Sequence, residues 1–189
     1  VLTAAILAAI LSVTAFTQTD PFQSLRGPVG KVEEWSYKTE EKFGITMEVW
    51  DAHSVTTYNA DKSPVESIDY WKTGKLRDRY VRTFSGSGQL VQVEKYDWLG
   101  NLETQIVYRY EENIQITRSY DGSGYLKSAS DIELDENGNT YHITTYDVDS
   151  GDIALIGYNT YTSDANPLST RIYDDKGEIF MTMDWRYDA

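Results

Sequence analysis

The chain of 189 residues is long enough for one domain or a short array of repeats, and its 25% charged and 40% hydrophobic residues describe a folded, soluble protein rather than a disordered one. Seventeen Lys and Arg stand against 30 Asp and Glu, a net charge of −13, which disfavours nucleic acid and anionic membranes and leaves cations or neutral partners such as glycans. The absence of Cys excludes disulfides, thiolate metal ligands, Cys nucleophiles and lipoprotein acylation.

The first 19 residues carry no charge, and "VLTAAILAAILSVTAF" matches the apolar core of a signal peptide while being short for a membrane span. Val13 and Ala15 fit the small-residue positions of a cut before Phe16; a cut after Thr17 is the other choice, and an uncleaved anchor the alternative to both. Each implies export, to the periplasm, cell surface or medium. Residues 1–17 are therefore set apart as signal peptide or anchor, 18–30 as linker and 31–189 as the repeat domain. Tyr187 and Asp188 stand in register for one more repeat, as in an array cut short at its C-terminus or one ended by a capping strand.

Beyond the linker a residue that closes a strand and precedes a turn recurs in two interleaved series. Tyr58, Phe84, Tyr110, Leu134, Tyr161 and Tyr187 follow one another by 26, 26, 24, 27 and 26 residues; Tyr70, Tyr96, Tyr120, Tyr146 and Tyr173 by 26, 24, 26 and 27. Two series in phase define a tandem repeat of about 26 residues. An aliphatic residue precedes one series by eight: Leu76, Leu102, Leu126, Ile153 and Ile179, beginning with Phe84 as the closing partner. Eight is even, so both ends of such a strand are expected on one face. In "LKSASDIEL" this puts Leu126, Ile132 and Leu134 together, beside Ser128 and Ser130. The other half-repeats run from Leu90, Ile114, Thr140 and Leu168; the last breaks parity, which predicts a bulge or altered turn near Pro167.

The segments between are turns: "SGSG" 85–88, "DWLGN" 97–101, "DGSG" 121–124, "DENGN" 135–139, "DVDSGD" 147–152 and "DDKGE" 174–178. Asp bonds the backbone ahead of it, and Gly or Asn accepts positive φ. With connections this short, neighbouring strands are antiparallel. The expected fold is all-β: an antiparallel meander of tandem β-hairpins, elongated or curled.

"YDWLGNL" and "YDGSGYL" resemble the tyrosine-aspartate repeats of Rhs-type proteins, and "YWKTGKLRDRY" resembles a MORN-type repeat. "LRGPVGKVEEWSYKTEEKFG" (25–44) and the repeats after it are similar to a group of exported bacterial hypothetical proteins. That resemblance implies a repeat fold and carries over no functional residue. "YEENIQ" 110–115 departs from it in lacking Gly, and Leu134 in replacing Tyr.

The candidate chemistry is sparse. His53 precedes a strand and His142 lies mid-strand; both read as strand-surface residues. The carboxylates sit chiefly in turns, where they stay solvated. Asp147 and Asp149 match the first half of a calcium loop, but Tyr158 stands where its bidentate Glu belongs, so no metal or other cofactor is expected. "SGSG" lacks the Lys and helix of a phosphate cradle, and no nucleophile elbow occurs. Trp71 and Trp98 at turns, with Trp35, Trp50 and Trp185 in expected strands, supply ring surface for stacking or for sheet packing. Trp71, Trp98 and Trp185 are the candidate ligand contacts. The expectation is a non-enzymatic bacterial envelope scaffold or binding module for glycan or protein, without nucleic-acid partner and without membrane contact beyond the signal segment. The alternatives are a polysaccharide hydrolase using turn carboxylates and an immunity or antitoxin-like partner.

Overall fold

The computed structural model describes residues 30–43 and 45–187; the stretch read as signal peptide or anchor and the linker up to residue 29 lie outside the described residues, as do residues 188 and 189. All regular structure described is strand: β1 (Lys31–Lys42), β2 (Ile45–Tyr58), β3 (Pro64–Trp71), β4 (Leu76–Phe84), β5 (Leu90–Tyr96), β6 (Leu102–Glu111), β7 (Ile114–Asp121), β8 (Leu126–Leu134), β9 (Thr140–Tyr146), β10 (Ile153–Tyr161), β11 (Pro167–Asp174) and β12 (Ile179–Asp184). The sheet order follows the chain from β1 to β12, an antiparallel meander. Two compact units are distinguished. The first runs up to Ile106 with Asp121–Gly124; the second comprises Val107–Tyr120 and the residues from Tyr125 on.

The two series of closing residues mark where hairpins close. Tyr58 pairs with Pro64, Tyr70 with Leu76, Phe84 with Leu90 and Tyr120 with Leu126. Leu134 pairs with Thr140, Tyr146 with Ile153, Tyr161 with Pro167 and Tyr173 with Ile179. Seven of these eight pairs enclose five residues, which repeat one geometry; Tyr146 and Ile153 enclose six. The N–H of Gly100 donates to the Asp97 carbonyl, and the N–H of Asp97 to the Asn101 carbonyl; Asp135–Asn139 and Asp174–Glu178 do the same. The fourth residue has positive φ, +85° at Gly100 for example, and the register slips by one beside it, as in a β-turn followed by a bulge.

Loop length alone accounts for the uneven period. Both steps of 24 cross the connection between Tyr110 and Ile114, which has three residues and places Glu112 at φ 54°. Both steps of 27 cross the six residues from Asp147 to Asp152. The turn before Pro167 is an ordinary one: Thr162–Asn166 makes the same two backbone bonds, and Pro167, rather than Leu168, is the partner of Tyr161. The expected irregularity is thus the slip that accompanies the other turns. A proline is tolerated there because it opens the strand.

The slip also corrects the parity argument for Leu126. Ser119 pairs with Ser128 but Tyr120 with Leu126, so Leu126 turns to the face of Arg118 and Tyr120. Ile132 stays in a buried row that crosses the second unit as Ile132, Ile143, Gly157, Ile172 and Met181. Ile172 is fully buried, and Leu155 packs beside it. The closing tyrosines fasten this unit at its margin. Tyr161 donates its hydroxyl to the Thr140 carbonyl at 2.8 Å, and Tyr187, one period later, donates to the Pro167 carbonyl at 2.8 Å.

In the first unit no described residue is buried. Its strands are held laterally instead. Lys95 bridges Asp78 at 3.2 Å and Glu103 at 2.8 Å, and Arg79 pairs with Glu66 at 2.7 Å while lying over the Tyr96 ring. Gly122 permits a close approach: a Cβ there would fall 1.9 Å from the Leu102 carbonyl oxygen.

Two stability measurements check this account. Ala165 and Lys62 occupy the left-handed fourth position at φ 61° and 63°. Replacing Ala165 with Gly is expected to raise stability by about 1 kcal/mol in thermal or urea unfolding, because the Cβ penalty disappears. Ile172→Ala is expected to lower it by about 2–5 kcal/mol, since it opens a cavity in the buried row.

Candidate functional site

Trp71 closes β3 and Trp98 is the second residue of the β5–β6 turn; the two belong to the first unit and to successive connections on the same edge of its meander. Strands alternate in direction, so these connections are two strand spacings apart, about 10 Å. Trp71 is 54% exposed and Trp98 65%, with Leu99 equally open beside it. The Arg77 guanidinium lies 5.5 Å from the Trp71 ring centre and is itself held at 3.0 Å by Asp69 and by Asp78. Trp98 rides on a stiff turn: Asp97 Oδ1 accepts the N–H groups of Leu99 and Asn101, each at 2.8 Å.

Trp185, in the second unit, lies just past the end of β12 rather than in a strand as the sequence suggested. Its N–H donates to the Leu168 carbonyl at 3.0 Å, and the residue is half-buried.

Both histidines sit within strands, His142 mid-strand as the sequence suggested. His53 does not precede a strand; it lies within β2, opposite Trp35 on β1 and Tyr70 on β3. The three rings stack in a row, with centres 3.8 Å and 5.0 Å apart, and Trp50 adjoins Trp35 at 5.6 Å. His142 stands between Glu133 and Tyr158 in an analogous row across β8, β9 and β10. Its Nδ1 is 2.7 Å from Glu133 Oε1, its ring stacks on Tyr158 at 4.8 Å, and Tyr141 donates to the other carboxylate oxygen. These hydrogen bonds, first from Tyr141 and then from His142, hold the Glu133 carboxyl below its ordinary range. A carboxylate on Nδ1 orients an imidazole and fixes its tautomer. Nε2 of His142 is enclosed, with no hydrogen-bond partner among the described residues.

Several of the turn carboxylates are committed to their own backbones. Asp135 Oδ1 accepts from Asn137 and Asn139, and Asp147 Oδ1 from Asp149 and Ser150. Asp149, the other half of the calcium-loop match, accepts the Tyr125 hydroxyl at 2.8 Å. Among the described residues no three His, Asp or Glu converge as metal ligands. A polar cleft of about 470 Å³ opens between the β8–β9 and β10–β11 turns, walled by Asn137, Asn139, Tyr141, Asn159 and Tyr161. Asn159 and Tyr161 both bond the Thr140 carbonyl, so this wall is fixed.

No family model and no curated protein matches the chain. Among solved structures it is similar to a porin-like protein from Bacteroides uniformis ATCC 8492, at 10% identity, over 79% of this chain and 74% of that one, with a TM-score of 0.51. It is also similar to a protein of unknown function from Bacteroides fragilis NCTC 9343, at 14% identity, over 60% of this chain and 94% of that one, with a TM-score of 0.44. At 10% identity the likeness to the porin-like protein is one of fold.

The carboxyls of Asp97 and Asp135 are held below their ordinary range, chiefly by the Asn101 and Asn139 side chains, and that of Asp147 by the Ser150 backbone. A group whose pKa is depressed by folding stabilises above its unfolded pKa and loses that contribution as pH falls through the folded one. Thermal stability is therefore expected to decline below about pH 4. Asn59 makes the same turn bonds without a charge, so replacing all three Asp with Asn should keep the fold and flatten the acid decline, read as melting temperature against pH.

Proposed function

We propose that this protein is an exported, non-enzymatic binding module of the bacterial envelope, and that it recognises glycans along the turn edge carrying Trp71 and Trp98. The observation that carries this reading is the exposure of two indoles on rigid turns of successive hairpins. An indole in water gains by covering its face with the apolar C–H surface of a sugar ring, while the surrounding turn amides and carboxylates are suited to hydroxyl groups. The strong negative charge fits a neutral partner better than an anionic polymer. The polar cleft walled by asparagines and tyrosines offers a second surface of the same chemistry. Export rests on the uncharged N-terminal stretch, and an envelope setting is compatible with the porin-like neighbour.

The reading is tested by glycan-array and cell-wall pull-down binding of the purified chain and of the Trp71→Ala/Trp98→Ala double variant. Loss of about tenfold or more in affinity is expected, because exposed anchors of this kind dominate binding energy. The melting temperature should hardly move, since neither ring is buried. Retained binding in the double variant, or turnover of the polysaccharide by the wild-type chain, would overturn the proposal.

A further inference from the structure

A cavity of about 350 Å³ lies in the second unit, lined by Val107 and Arg109 of β6, Ile116, Arg118 and Tyr120 of β7, and Leu126 of β8. Its volume is within the range of small-molecule pockets. Val107, Ile116 and Leu126 supply its apolar part beside the polar groups, and β6 and β7 send alternate residues to it. The bulge after Ser119 is what brings Leu126 to this side.

Its polar groups converge as donors. Arg118 is fixed through Nη1 alone, which bonds the Thr117 and Ser130 carbonyls and Asp131 at 2.9, 3.1 and 3.0 Å. Its guanidinium lies over the Tyr146 ring, and the small Ala129 between them in the row leaves room for that reach. Asp131 is satisfied by Arg118 and by the Tyr146 hydroxyl at 2.8 Å, so it offsets Arg118 and no more. Arg109 has no hydrogen bond or ion pair among the described residues, and neither has the Tyr120 hydroxyl. The pocket thus presents one positive charge in excess, beside a phenol, in a chain whose net charge is −13.

We infer that this cavity binds a small monocarboxylate with an apolar body. The planar Arg109 fork pairs a carboxylate through two parallel bonds. The Tyr120 hydroxyl donates a further one, and the aliphatic wall covers the body of the ligand. This site is independent of the tryptophan edge and of the glycan reading.

The test is calorimetric titration of the full chain with decanoate, an alkyl carboxylate, and with 4-phenylbutyrate, an aryl one. Decanol supplies the apolar body without the charge, and glucuronate the charge without the apolar body. At least one of the two carboxylates is expected to bind with a Kd below about 1 mM, and both controls about tenfold more weakly or worse. Arg109→Gln should weaken the carboxylate about tenfold with the melting temperature unchanged, because an exposed, unpaired side chain is removed. Decanoate binding alone would assign an alkyl chain, phenylbutyrate alone an aryl group. Equal binding of either control, unaltered affinity in the Arg109 variant, or failure of both carboxylates would overturn the inference.

Discussion

The residue four places into each five-residue connection must take a left-handed backbone, and the strand register is set from there. Gly meets the requirement at most of these positions; Lys62 and Ala165 meet it at a steric cost. A turn of this type carries a bulge, and the bulge shifts pairing by one residue. Because side chains alternate with period two, that shift decides which face each opening residue serves. Leu126 is therefore in the cavity with Arg118, and Ile132 in the buried row. One local conformational rule thus distributes residues between a packed interior and a ligand-accessible face.

The two units draw cohesion from different sources. The second has an aliphatic row, and each isoleucine in it gains hydrophobic burial. The first has no buried described residue and relies on lateral contacts such as the Asp78–Lys95–Glu103 bridge and the Trp35–His53–Tyr70 stack. Exposed ion pairs are worth little singly, at most about 1 kcal/mol. Rings that cover one another across strands add about 0.5–1.5 kcal/mol per pair. Where no described residue is buried, the Tyr and Trp rings supply part of the cohesion, and those exposed at turns are available for other contacts.

Turn chemistry is local, so the meander was legible in the sequence. Asp in first place and Gly in fourth mark four of the connections, Gly in fourth without Asp marks two more, and a recurring residue, usually Tyr, marks the pair that closes a connection. What depends on pairing between distant segments was not legible. The partner of Tyr161 is Pro167 rather than Leu168, and a proline at a strand's first position lacks nothing the ladder needs. The alignment of His53 with Trp35 and Tyr70, and of His142 with Glu133 and Tyr158, follows from register across two turns at once. Arg109 and Arg118 carried no motif; only the β6–β7–β8 surface shows that one is paired and the other is not. Trp185 was placed in a strand on its neighbours' pattern, which ends one residue earlier.

The connections of three and six residues have a consequence for how such a chain diversifies. Both leave the strands on either side paired, so an insertion or deletion confined to a connection is absorbed where it occurs. Recognition elements exchanged at these tips would not disturb the framework beneath them, which makes the protein a natural scaffold for loop grafting.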